Sequence, residues 1–177
     1  MNPKCFSTSF TGAEAPNDRM PMIAPVIMAM TRQAVPTLDR TKFAPASNVA
    51  KGGYALNDVA KPDVILIGTG SEVSLCVEAA EKLAAEGVKA RVVSLPSWEL
   101  FEKQPKDYRD AVLPPAVTAR VCVEAGAAFG WERYAGTTGA IIGMRSFGAS
   151  APVKDVLKHF GFTTDNVLAA ARKQLGK

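Results

Sequence analysis

The chain has 177 residues, 47% of them apolar and 21% charged, which is enough for one domain with a real core and ordinary for a globular protein. Its formal charge of +4 comes from scattered Lys and Arg, and only 7% of residues are aromatic, so a nucleic-acid surface is not expected. No run reaches membrane-spanning length, and the apolar stretch 20–30 is broken by Pro21 and Pro25 and lacks a cleavage-like ending, so neither membrane nor secretion is expected.

Residues 1–19 show no periodicity and read as loop. Residues 26–30 are a candidate strand ending at Thr31-Arg32-Gln33, and residues 36–50 a linker with Pro36, Asp39, Pro45 and Asn48. The planar fork of Arg32 suits a phosphate, although an exposed or ion-paired Arg is the plainer reading. Gly52-Gly53-Tyr54-Ala55-Leu56 fits a short edge strand. Residues 63–67 are then a continuous apolar, β-branched run, the pattern of a strand buried on both faces of a parallel sheet. Gly68-Thr69-Gly70-Ser71 breaks it, and Val73, Cys76, Val77, Ala80, Leu83 and Ala84 follow at helical spacing. Gly87 is a helix stop, and residues 88–95 are a second strand, completing a βαβ unit.

The turn Gly68, Thr69, Gly70, Ser71 admits two readings. Thr69 three residues ahead of Glu72 fits a capping box on a tight turn. Alternatively, exposed amides at a helix start bind an anion. The spacing is neither a dinucleotide fingerprint nor a P-loop.

Further along, Ser97 is a candidate cap, with Trp98, Phe101 and Tyr108 facing the core and Pro105 dividing two short helices. Residues 118–123 read as a third strand ending in a turn at Glu124-Ala125-Gly126, where ligands of open α/β sheets bind, though a structural cap is the plainer role for Glu124. Phe129, Trp131 and Tyr134 cluster on a short helix. Residues 140–144 are a fourth strand. Ser150 and Pro152 open a helix whose Val153, Val156, Leu157 and Phe160 face inward, and Thr164 caps the last helix. Strands alternating with helices predict an α/β three-layer sandwich with a mainly parallel sheet of about five strands, residues 63–67 at its centre.

Catalytic motifs are scarce. His159 is the single histidine, reads as a helix-end residue, and no nucleophile motif accompanies it. The sequence holds no Cys-x-x-Cys or His-x-x-x-His pair, so no protein-made metal site is expected. Cys76 and Cys122 read as small core residues, and with Cys5 make a widely spaced set that suits a reduced, cytoplasmic protein. Residues alone therefore reach an α/β domain without an evident active site.

Several stretches nevertheless carry a family resemblance in order and spacing. They are Thr31-Arg32-Gln33 with Pro36-Thr37-Leu38, Lys51-Gly52-Gly53-Tyr54, Gly68-Thr69-Gly70-Ser71-Glu72-Val73, residues 86–93, Val112-Leu113-Pro114, residues 118–121 with Glu124-Ala125-Gly126, and residues 147–152 with 160–163 and Asp165-Asn166-Val167. From about residue 25 to its end the chain resembles the C-terminal part of transketolase. The resemblance implies a family enzyme that uses thiamine diphosphate and Mg²⁺ to move a two-carbon ketol unit between ketose and aldose sugar phosphates. It implies the transketolase C-terminal-domain fold for residues 51–177, with residues 25–50 as the end of the middle-domain strand plus linker and residues 1–24 unmatched, read as a disordered segment. Residues 25–34, read as the last strand of a sheet that belongs to the middle domain, are expected to be disordered, to pack abnormally or to pair with another chain at an exposed edge. The family's diphosphate-holding Gly-Asp-Gly…Asn motif has no counterpart here, so no cofactor and no catalytic residue are expected in this chain. Arg32 alone carries over, as a ligand of substrate phosphate. Expected partners are a second copy or the remaining transketolase domains. Two alternatives stay open: an anion- or metabolite-binding regulatory module, and one subunit of a split transketolase.

Overall fold

The structure, a computed structural model, describes residues 34–177. The candidate strand 26–30, Arg32, Cys5 and residues 1–24 lie outside the described residues. The elements are β1 (Tyr54–Ala55), β2 (Val64–Gly68), α1 (Val73–Ala85), β3 (Ala90–Ser94), α2 (Trp98–Glu102), α3 (Lys106–Val112), β4 (Arg120–Ala127), α4 (Glu132–Ala135), β5 (Ala140–Met144), α5 (Val153–His159) and α6 (Thr164–Gln174). They form one five-stranded sheet in the order β1-β3-β2-β4-β5, with β1 antiparallel and the rest parallel. This is the predicted α/β sandwich, with β2 at its centre.

The alternation along β2 explains the two faces. Val64 and Leu66 point to one core with Cys76, Leu83, Val121, Val167 and Ala171, contributed mainly by α1 and α6. Ile65 and Ile67 point to the other with Phe101, Val112, Trp131 and Tyr134, contributed by α2, α3 and α4. All four are fully buried. Each such side chain contributes roughly 1.5–3 kcal/mol on leaving water, so the sequence signal and the stability share one cause. Residues 34–50 pack on the first core through Leu38, Phe43, Ala44 and Val49.

Two arginines flank Ile65 in register, Arg91 on β3 and Arg120 on β4. The Arg91 guanidinium donates to the carbonyls of Ala111 (2.6 Å) and Val59 (2.7 Å). Arg120 donates to those of Val117 (2.8 Å), Pro114 (2.9 Å) and Tyr134 (2.9 Å). Carbonyls at helix ends and turns often lack a backbone partner and can accept more than one bond, as Pro114 does from the Val117 amide and from Arg120, so these cations stabilise the connections.

Five local expectations are corrected. The capping box does not form. Gly70, at a φ of 55°, starts a single 3-10 turn, Gly70–Glu72, before α1, and Thr69 makes no side-chain cap bond. Glu72 is buried instead, accepting from Ser71 Oγ at 2.7 Å. Second, Glu124-Ala125-Gly126 is a bulge rather than a turn: pairing with β5 resumes at Ala127↔Met144, so the strand runs on to Ala127. Third, Thr163 and not Thr164 caps α6, because Thr163 is the extended residue whose hydroxyl accepts from the Asn166 amide (3.2 Å). Fourth, Pro152 and not Ser150 stands at the start of α5, and Val153 is exposed. Fifth, Phe129 is 90% exposed, whereas Trp131 and Tyr134 are buried against Trp98. Ser97 caps α2 as predicted, accepting from the Leu100 amide.

Candidate functional site

The chain leaves β2 for β3 on one side and returns to β4 on the other, so the sheet reverses its winding between β2 and β4. In open α/β sheets, ligands bind outside the carboxyl ends of strands at such a point. A crevice of about 220 Å³ lies there, lined by Thr69, Ser97, Trp98, Glu99, Glu124 and Trp131 among others. Thr69 comes from the turn after β2, Glu124 from the bulge of β4, and Ser97 and Trp98 from the start of α2. The indoles of Trp98 and Trp131 meet edge to face at 5.1 Å, and Arg133 lies over the Trp98 ring at 5.4 Å.

The glycines of the turn have structural reasons to be there. A Cβ on Gly68 would come within 3.1 Å of Cys76 Sγ and of the Val73 amide nitrogen, so a side chain there would press on the start of α1 where it approaches the strand. Gly70 adopts the left-handed region. The charge at the turn is negative: the Glu72 carboxylate lies near Gly70, and its charge reaches Glu124. Burial first, and Glu72 second, raise the Glu124 carboxyl above the ordinary glutamate value of 4.5. Gly68, Thr69, Gly70 and Ser71 thus sit where a ligand of this fold class binds, but an incoming anion would meet two carboxylates.

Glu124 has a testable consequence. Its folded-state pKa is raised, so the native state holds the proton more tightly than the unfolded chain does. That stabilisation is full below the unfolded value and is lost as pH rises through the folded value. Glu124→Gln, which keeps the shape without the charge, is expected to raise Tm near pH 7 and to leave Tm near pH 4 close to that of the parent. Thermal melts of both proteins across this range check it; a variant melting lower than the parent near pH 7 would contradict it.

Elsewhere the described residues show no catalytic constellation. His159 is exposed at the end of α5 with its ring against Phe160. Cys76 and Cys122 are buried, and burial raises both thiols, Cys122 to about 12, so neither is a reactive thiolate. Among the described residues no group of three or more His, Cys, Asp or Glu could hold a metal ion, and no helix is long and apolar enough to cross a membrane. Sequence reasoning singled out Glu124 and the glycine turn. It missed the burial of Glu72 beneath that turn and the Trp98–Trp131 pair across the crevice; Trp98 had signalled only as a core aromatic and Trp131 only as one of a cluster on a short helix.

Residues 52–163 match the family described as the transketolase-like TK C-terminal domain. The chain belongs to the transketolase family. It is 54% identical over 154 residues to a transketolase of Nostoc sp., an alignment covering 86% of this chain and 22% of that protein. Among solved structures, the transketolase of Leishmania mexicana matches with a TM-score of 0.69 and 44% identity over 73% of this chain and 19% of that one. A Pichia stipitis transketolase in complex with sedoheptulose 7-phosphate matches with a TM-score of 0.73 and 39% identity over 82% of this chain and 20% of that one. The chain thus spans about a fifth of the length of the transketolases it matches.

Thiamine diphosphate with Mg²⁺, which the transketolase family implies, does not fit the crevice. Its walls offer the diphosphate two glutamates and two indoles, no basic side chain among the lining residues named above, and no three-ligand metal cluster among the described residues. No catalytic step is assigned to the crevice.

Proposed function

We propose that this chain is the C-terminal domain of a transketolase, supporting the enzyme's architecture and dimer without carrying the ketol-transfer chemistry. The observation that carries the reading is the match of residues 52–163 to the transketolase C-terminal domain, in a chain that spans about a fifth of its relatives. In this reading residues 51–177 are the domain, residues 25–50 the end of the preceding strand and linker, and residues 1–24 fall outside it. Arg32 binds the phosphate of a sugar-phosphate substrate, its planar fork pairing with phosphate oxygens. Thiamine diphosphate and Mg²⁺ belong to the other domains, and the setting is cytoplasmic. The anion-binding alternative for Gly68, Thr69, Gly70 and Ser71 is weaker, since Glu72 and Glu124 share that turn.

The test is complementation. The purified chain is mixed with a transketolase truncated before its own C-terminal domain, and ketol transfer is followed with a coupled assay. The expected result is turnover by the mixture and none by the chain alone. A folded, soluble mixture without activity, or turnover by the chain alone, would contradict the reading.

A further inference from the structure

A second crevice runs along the outer edge of the sheet, past β1 toward the start of β3. Its volume is about 490 Å³, and Lys42, Asn48, Lys51, Asp58, Arg91 and Tyr108 are among its lining residues. That volume falls within the roughly 300–1,000 Å³ of small-molecule sites. Its charge is opposite to that of the Glu124 crevice: three cations line it against one carboxylate, Asp58, whose charge reaches Arg91. Among the described residues neither lysine makes an ion pair.

The fold places these charges without pairing them. Arg91 is held through carbonyls of Ala111 and Val59, which carry no net charge and leave its field in place. Tyr108 is fixed by donating its hydroxyl to the Gly53 carbonyl at 2.9 Å, and the Lys51 ammonium lies 4.9 Å from the centre of its ring. Lys51 itself closes the short 3-10 helix Ala46–Lys51. Lys42 follows a turn in which Asp39 accepts from the Thr41 amide at 2.9 Å and from its hydroxyl at 2.6 Å, and the next residue, Phe43, packs on the first core. Those two bonds, far more than Lys42, hold the Asp39 carboxyl below its ordinary value. Positive charges gathered without carboxylates repel one another, and a bound anion relieves the repulsion at sites already in position.

We infer that this crevice binds a small phosphate ester, its phosphate drawn to Lys42, Lys51 and Arg91 and its organic body lying along the wall that Asn48 and Tyr108 provide. A bare phosphate would leave most of the volume to water, so the ligand carries a body. The two lysines, compact ammoniums on flexible stems, are the groups that touch the phosphate. Arg91, its terminal nitrogens already on carbonyls, contributes charge rather than a two-pronged grip. The site lies wholly within the described chain and does not depend on the C-terminal-domain reading above.

Calorimetric titration of the purified 177-residue chain with adenosine monophosphate, ribose 5-phosphate, inorganic phosphate and adenosine tests it. At least one of the two esters is expected to bind, more tightly than inorganic phosphate, and adenosine is expected not to bind. Binding of adenosine monophosphate alone assigns the body as a nucleoside; equal binding of both esters assigns it as the sugar phosphate they share. The double variant Lys42→Ser/Lys51→Ser changes two exposed side chains. It is expected to melt like the parent and to bind on the order of tenfold more weakly, as two charged contacts are lost. Lys51→Arg is expected to keep most of the affinity. Lys154→Ser/Lys158→Ser removes the same charge from α5 and is expected to bind like wild type. Failure of both esters to bind, or no gain of either over inorganic phosphate, overturns the inference. So does equal binding by the Lys42/Lys51 variant, which places the ligand elsewhere, or an equal loss in the α5 variant, which reduces the effect to net charge. Should the double variant not fold, Lys42→Ser alone is expected to weaken binding severalfold, and unchanged binding overturns the inference.

Discussion

Ile65→Asp is expected to unfold the domain. Ile65 is fully buried in the middle of β2, paired to Arg91 on one side and Arg120 on the other. Its side chain packs in the core formed with Phe101, Val112, Trp131 and Tyr134. The terminal guanidinium nitrogens of both arginines are already held by backbone carbonyls, and only Arg91 Nε is without a partner. A carboxylate at position 65 would therefore enter a largely apolar space with at most one free donor, Arg91 Nε, at a cost of several kcal/mol, comparable to the roughly 5–15 kcal/mol that stabilises a whole domain. Far-ultraviolet circular dichroism and a thermal melt check it. A folded variant with a cooperative transition near the parent Tm would show that β2 is not the centre of the sheet.

Gly52→Ala is the second large effect. Gly52 has a φ of 78°, a region that side chains rarely adopt. A Cβ there would also lie 2.3 Å from the Phe101 nitrogen and 2.5 Å from the Ser97 oxygen, both backbone atoms of the α2 start. The same glycine's carbonyl accepts from the Ser97 amide at 2.9 Å. Neither the turn nor the helix can move alone, because that bond joins them. The expected loss is about 3 kcal/mol, from backbone strain added to displacement of α2. Chemical denaturation of parent and variant measures it. A loss under about 0.5 kcal/mol, the range of neutral surface substitutions, would mean that the linker and α2 are not held together this way.

Both predictions draw on features with different visibility in the sequence. The apolar run at 63–67 could be read because burial on both faces removes the polar alternation of an ordinary strand, and Gly87 because a helix end needs left-handed backbone. The edge strand at Tyr54, the two short helices around Pro105 and the strand at 140–144 were legible for similar local reasons. Features set by tertiary pairing were not. Glu124-Ala125-Gly126 has the composition of a turn, and only the partner strand makes it a bulge. Thr163 and Thr164 are chemically equivalent caps, and the choice falls to the one in extended backbone. Phe129 looks like its neighbours Trp131 and Tyr134, but they alone fold under against Trp98.

The candidate site divides along the same line. The strand-end location of Glu124 follows from the fold rule and was accessible from the sequence. The repulsion between Glu72 and Glu124 was not, because it joins a turn after one strand to a bulge in another. Capping logic assigned Glu72 to its own helix start, whereas packing buries it.

In the proposed reading this domain leaves the cofactor chemistry to the rest of the enzyme. The decisive experiment is calorimetric titration of the purified 177-residue chain with thiamine diphosphate and Mg²⁺, with a ketol-transfer assay on the same sample. The expected result is no binding heat and no turnover from a sample that melts cooperatively. Saturable heat accompanied by turnover would contradict it, and would place a cofactor site within this chain.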